Sequence, residues 1–324
     1  MAKARRIAIL GGGRLAYGAL GMVRPGVKTG DHVVVGWGRS ADARRVLQEG
    51  GATVADSAAA AVADAAVVIL CVPAPSLAEL TAQAAPAATG DQVVVHAARG
   101  VGADFVLPHE ILRGGSCWKK IVALGGPLYL DDAGSGRALN AAVASRFDEA
   151  IDAVRTIVRG APLRLSATHD IVGVELCGAL SNVGHLAAGL AAGAGLGETD
   201  QGLLHVRALL EAGRLGRVMG AERATFSGLA GVGDLIPRRV SSQRRHRDVG
   251  HAVGAGTLAE SGHDDAAVTA LEGVVTAREG ARFASRHGWS APLLTAVQRV
   301  LDDKAAAGPT LKALLDTELG LQAA

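Results

Sequence analysis

The apolar positions of this chain change rhythm partway along it. In the first half, short runs are continuously apolar and rich in β-branched residues: Arg6–Leu10 (RIAIL), His32–Trp37 (HVVVGW), Ala66–Val72 (AVVILCV), Gln92–His96 (QVVVH) and Lys120–Leu124 (KIVAL). Strands buried on both faces of a parallel sheet need this pattern. Ala-rich helical stretches lie between them, among them Ala41–Glu49 and Leu77–Ala85, the second closed by Pro86. Such alternation predicts a doubly wound α/β domain. After about Ser166 the strand-like runs stop, and long Ala/Leu/Gly-rich helical segments continue to the C-terminus. A last short strand, Pro162–Leu165, and an N-cap candidate, Asp170, put the boundary between an α/β domain over 1–166 and an all-α domain over 167–324.

Composition narrows the class. Apolar residues make up 49% of the chain and charged residues 20%, so 324 residues can build sizeable cores. A net charge of +2 gives no general case for nucleic acid. Basic residues do cluster at Arg238–Arg247 (RRVSSQRRHR), either as a solvated helix end or as an anion site. Cys71, Cys117 and Cys177 are widely spaced, without metal-ligand spacing, and read as buried free thiols. The stretch Leu176–Leu196 comes nearest to membrane-spanning length. Asn182 and His185 inside it favour a buried helix, so no membrane insertion and a cytoplasmic location are expected.

Gly11–Gly12–Gly13–Arg14–Leu15–Ala16 follows the first strand and opens a helix, a G-x-G-x-x-A form of the dinucleotide fingerprint. Gly11 suits the tight turn, Gly13 a close approach of the pyrophosphate, and Ala16 the helix–strand contact. The second strand ends in GWGRS. An acidic residue there would bind the ribose hydroxyl of NAD, whereas Arg39 suits the 2′-phosphate of NADP. The expected fold is therefore Rossmann-type, with NADP as cofactor and NAD as the alternative. The segment Val23–Gly30 (VRPGVKTG) reads as an insert that lengthens the loop before the second strand.

Asp170–Gly189 (DIVGVELCGALSNVGHLAAG) resembles the signature helix of the bacterial NAD(P)-dependent glycerol-3-phosphate dehydrogenases, D-x-x-G-V-E-L-x-G-A-L-K-N-V, with Gly173, Glu175, Gly178 and Asn182 in register. Four further segments are similar to that family, in order: CVPAPS (71–76), LGGPLYLDD (124–132), TFSGLAGVGDLI (225–236) and LEGVVTA (271–277). The resemblance implies an NAD(P)-dependent oxidoreductase acting on a small phosphorylated substrate, and a homodimer. It implies that Pro73 lies near the cofactor, that Glu272 touches it, that Asn182 and Asp234 line the substrate site, and that Arg245 grips the phosphate.

Departures from the family pattern fall on the chemistry. Ser181 stands where the family has its catalytic lysine, and Arg99 replaces the lysine of its K-G pair. Arg238 replaces a threonine, and His246 replaces the asparagine after the phosphate arginine. Scaffold and cofactor motifs survive while these four positions differ, so a changed, still anionic substrate is expected. Reduction of a ketone needs a proton donor as the alkoxide develops. A lone serine hydroxyl is a poor acid. His185, one turn along the helix from Ser181, is a relay candidate, although a satisfied histidine at a helix–helix contact is the stronger reading, and His96, near Arg99, is another candidate. Arg99 or Arg238 can stabilise an oxyanion. The competing reading is a non-catalytic NADP-binding paralogue.

Overall fold

A computed structural model describes residues 4–128, 138–236, 241–262, 265–303 and 305–319. Eight strands form one sheet: β1 (Arg5–Gly11), β2 (His32–Trp37), β3 (Thr53–Val54), β4 (Val67–Cys71), β5 (Val93–His96), β6 (Lys120–Gly125), β7 (Leu139–Ala144) and β8 (Leu163–Thr168). Their order is β3-β2-β1-β4-β5-β6-β7-β8. All neighbours run parallel except β6 and β7. The chain leaves β1 in one direction for β2 and returns on its other side as β4. The crevice at their carboxyl ends is the switch point where doubly wound sheets bind ligands.

Alternation along the strands divides the core. Ile7 and Ile9 of β1 face one side with Ala16, Leu20, Leu47, Ile151 and Val154. Ala8 and Leu10 face the other side, and that cluster runs without a break into the helical half through Val174, Leu176 and Leu180. The seam between sheet and helices is thus continuous apolar packing, and it holds the polar groups described below at fixed separations.

The helix Ile171–Gly193 is the axis of the second half. Asp170 caps it, Oδ1 accepting from Gly173 N at 2.8 Å, while Oδ2 accepts from Glu222 N at 2.9 Å and Thr225 Oγ1 at 2.6 Å. Every residue from Ile171 to Ala191 is buried. The helix is long and apolar enough to cross a bilayer, but protein covers it, as expected for a helix that is apolar all round. Its closest neighbour, the helix Ser241–Gly254, crosses it on paired glycines, Gly189 and Gly193 against Gly250 and Gly254. A Cβ at any of these four would stand 2.1–2.2 Å from a backbone oxygen of the opposite helix.

Three expectations need correction. The segment Val23–Gly30 is not a loop insert. The first helix runs Gly13–Thr29 straight through Pro25 and stops at Gly30, which takes the left-handed conformation (φ 81°). Its buried face, with Leu20, Met22, Val23 and Gly26, holds it on the sheet despite the proline. Strand β7 (LNAAVA) was not foreseen, because its alanines give no β-branched signal. Cys71 and Cys177 are buried, but Cys117, just past the helix Pro108–Gly115, is exposed.

Candidate functional site

The nucleotide turn is built by steric exclusion. Gly11 has φ +116°, and a Cβ on it would lie 2.3 Å from the Cys71 carbonyl oxygen. Gly13 opens the first helix at φ +65° with nothing within 4 Å of a Cβ position. Gly12 precedes that helix without a side-chain cap, and no acidic residue occupies the first turn. Neither a capping side chain nor a first-turn carboxylate therefore competes with an anion at this helix end, the arrangement a pyrophosphate requires. Ala16 is fully buried against the sheet and Leu15 packs partly on the same core, while Arg14 is exposed. Arg39 is exposed beyond β2, 3.5 Å from Glu79, and Ser40 caps the following helix through Ala43 N. Pro73 turns the chain after β4 into Ala74, whose N–H donates to Glu272 Oε1 at 2.9 Å.

Glu272 ties this end to the chemistry. The same Oε1 accepts from Arg99 N at 2.9 Å, so one half-buried carboxylate fixes the loops after β4 and β5 together. Burial raises its pKa, and the two N–H groups and Arg99 pull it back. From that anchored backbone the Arg99 guanidinium reaches Asp234. Nη1 donates to Oδ1 at 2.7 Å, and Nη2 donates to Oδ2. Nη2 also approaches Ser181 Oγ at 3.4 Å, and the Ser181 hydroxyl is hydrogen-bonded to Asp234. Asn182 Nδ2 donates to the Arg99 carbonyl at 2.8 Å, and its buried Oδ1 has no partner among the described residues. Asp234 is fully buried. Burial raises its pKa, against the lowering effect of the Arg99 charge and of the Arg99 and Ser181 hydrogen bonds.

The structure thus brings Arg99, Ser181, Asn182, Asp234 and Glu272 into one cluster. It places other residues elsewhere. His246 is buried, and its Nε2 accepts from Gly273 N at 3.0 Å, holding the first turn of the helix Glu272–His287. That nitrogen is engaged with the scaffold. Arg245 is exposed on the helix Ser241–Gly254. Arg238 and Tyr129–Asp132 lie outside the described residues.

His185 is buried, four residues along the helix from Ser181. Its ring packs edge-on against His205 with centroids 4.6 Å apart, a helix–helix contact. Burial pushes its pKa down to about 2, aided by His205, Arg99, His246 and Arg247. His205 falls to about 4 through burial and Arg247. Both rings are neutral in the fold, whereas in the unfolded chain they protonate near 6.5. Below pH 6.5 the unfolded chain binds protons that the native state refuses, so stability falls as pH falls. Glu211, raised to about 7 mainly by burial, acts in the opposite sense: its stabilisation is present at low pH and is lost as pH rises through 7. A variant comparison isolates the histidine contribution. Between pH 7 and pH 5, wild type is expected to lose about 2 kcal/mol more than His205→Phe, read from urea midpoints. Equal losses would refute it.

Three buried groups, Glu175, His109 and His96, escaped the sequence reading as a unit. Glu175 accepts from His109 N at 2.8 Å and meets His109 Nδ1 at 2.6 Å, and its Oε1 lies 2.9 Å from His96 Nε2. Burial alone would raise the Glu175 pKa, but the hydrogen bonds and charges of the two histidines bring the net shift below the usual value. His96 is therefore occupied with Glu175. Glu175 and His109 stand 66 residues apart in the chain, so no local spacing announces them.

Comparison with known proteins agrees with this geometry. A family model described as NAD-dependent glycerol-3-phosphate dehydrogenase C-terminus matches residues 170–312. One described as NADP oxidoreductase, coenzyme F420-dependent, matches residues 6–100. The chain is 36% identical to the glycerol-3-phosphate dehydrogenase [NAD(P)+] of Symbiobacterium thermophilum over 76% of this chain and 72% of that one. It is 31% identical to the enzyme of the same name from Teredinibacter turnerae over 93% of this chain and 92% of that one. Among solved structures, glycerol-3-phosphate dehydrogenase from Coxiella burnetii shares the fold, with a TM-score of 0.86 at 24% identity over 97% of this chain and 99% of that one.

Proposed function

Because the chain belongs to the NAD(P)-dependent glycerol-3-phosphate dehydrogenase family, we propose that it moves a hydride between NAD(P) and a small anionic ketone or alcohol other than the family's usual substrate. The observation that carries the altered substrate is the Arg99–Asp234–Ser181 cluster, in which a guanidinium and a hydroxyl stand where the family pattern has two lysines. Division into a nucleotide-binding part over 1–166 and a substrate-binding part over 167–324, a homodimer and a cytoplasmic location belong to the same reading. Light scattering of the full chain tests the dimer.

The glycine turn and the uncapped helix N-terminus fit a dinucleotide, and Arg39 supports a preference for the 2′-phosphate of NADP. The nicotinamide supplies or accepts the hydride when bound. The chain's own residues handle charge and protons. Arg99 Nη2, beside Ser181 Oγ, stabilises the developing alkoxide but keeps its own proton. Ser181 relays the substrate's hydroxyl proton to Asp234, which acts as base in oxidation and returns the proton in reduction. Burial raises the proton affinity of Asp234, and the Arg99 pair limits the rise, so the carboxylate can take the proton and release it again. Asn182 holds the Arg99 backbone, and Arg245 binds the anionic group of the substrate.

Purified protein assayed for NADPH and NADH oxidation tests this reading, using dihydroxyacetone phosphate beside bulkier phosphorylated ketones and keto acids. One of the latter is expected to exceed dihydroxyacetone phosphate in kcat/KM by at least about tenfold. Best turnover on dihydroxyacetone phosphate would overturn the altered substrate. The loss of the ammonium at Ser181 also favours a second reading, a cofactor-binding protein without turnover. NADPH binding with no oxidation across the panel would select it.

A further inference from the structure

A cavity of about 250 Å³ opens at the end of the strands opposite the nucleotide turn. Ile121, the second residue of β6, and Ile171, in the first turn of the buried helix, line its apolar part together with Phe147. This is the amino edge of the parallel strands, whereas Gly11 and Cys71 end β1 and β4 at the carboxyl edge. Arg113, Lys119 and Arg146 stand around the cavity, and among the described residues no carboxylate lines it. Nearby acids face other partners: Glu149 lies 3.7 Å from Lys120 and Asp148 lies 2.9 Å from His169. None of the three cations has an ion-pair partner among the described residues. His109 completes the lining, and through Glu175 it reaches His96 at the end of β5.

Three like charges gathered at an apolar concavity repel one another unless an anion joins them. Water in such a cavity finds few polar partners and is readily displaced by hydrocarbon. We propose that this cavity is a second ligand site for a small amphiphilic anion. A phosphate or carboxylate head meets Arg113, Lys119 and Arg146, and a short hydrocarbon body rests on Ile121, Phe147 and Ile171. The site is independent of the dehydrogenase reading, because it shares no residue with the Arg99 cluster or the glycine turn.

Calorimetric titration of the full chain with hexyl phosphate, hexanoate, inorganic phosphate and hexanol tests it. One of the two amphiphiles is expected to bind at least about tenfold more tightly than phosphate or hexanol alone, and its head group identifies the ligand class. Arg113→Gln/Arg146→Gln is expected to weaken that binding by about tenfold or more and to leave NADPH affinity within about twofold. Affinity untouched by the double variant would overturn the proposal, and so would displacement of the amphiphile by NADPH. Capture by anionic vesicles without binding of the soluble amphiphiles would assign the patch to a membrane surface and overturn it equally.

Discussion

Replacing Arg99 by methionine is expected to lower kcat/KM by about a thousandfold, the scale of losing one preorganised donor to a developing oxyanion. Methionine keeps much of the unbranched stem and removes the charge. The same change leaves Asp234, fully buried, without its bidentate partner. Breaking a buried ion pair from one side costs about 3–5 kcal/mol, so part of the loss could reflect unfolding rather than chemistry. Arg99→Met/Asp234→Leu isolates the stability part alone, since Asp234 is itself the proposed base. Removing both charges is expected to recover much of the stability, read by urea unfolding, and none of the activity. A folded Arg99→Met protein that turns over within tenfold of wild type would remove Arg99 from the chemistry. NADPH affinity is the internal control, since the glycine turn is built from other residues.

Gly250→Ala is expected to destabilise the protein by about 3 kcal/mol or more, above the usual range for one added methyl, because the obstacle is backbone. The new Cβ would lie 2.2 Å from the Leu186 carbonyl oxygen and 2.9 Å from Leu190 N. No side chain can rotate away, so the helices must part. Gly202→Ala is the matched control. It lies within the helix Glu198–Val218 with nothing within 4 Å of its Cβ position. There alanine gains helix propensity, and stability is expected to stay level or rise slightly. Thermal unfolding of the two variants side by side measures the difference, and a Gly250→Ala protein as stable as wild type would show the crossing to be looser than its geometry. Where Gly250→Ala still folds, KM for the substrate is expected to rise with kcat less affected. Arg245 lies on the displaced helix, whereas Arg99 and Ser181 do not.

Much of this protein could be read along the chain because the relevant physics is local. Continuous apolar runs announced β1, β2, β4, β5 and β6, since strands covered on both faces need no polar alternation. The glycines at 11 and 13 announced the nucleotide turn, since only they accept its backbone angles and its contacts. The apolar, small-residue content of 171–193 announced a helix enclosed by protein. The resemblance placed Ser181, Asn182, Asp234 and Glu272 around one site, and the fold gathers them.

What the chain did not announce depends on partners far away in sequence. Whether Pro25 ends a helix or rides within it depended on the buried face beneath it. Whether LNAAVA is helix or strand depended on β6 and β8 lying on either side. His185 read as a relay candidate or a packed helix contact and His246 as a change facing the substrate; the fold packs one on His205 and sets the other on Gly273, both long-range contacts. Arg99 read as a cation that keeps a lysine's charge without its compact ammonium and can stabilise an oxyanion. Only the fold, bringing Asp234 across 135 residues, turned it into a bidentate pair occupying the site. Sequence alone therefore determined the sheet's principal strands, the nucleotide turn and the buried axis helix, where each residue's own covalent geometry and polarity decide. The tertiary structure decided the charge arrangement, because hydrogen bonds and desolvation depend on which distant groups are brought within about 3 Å of each other.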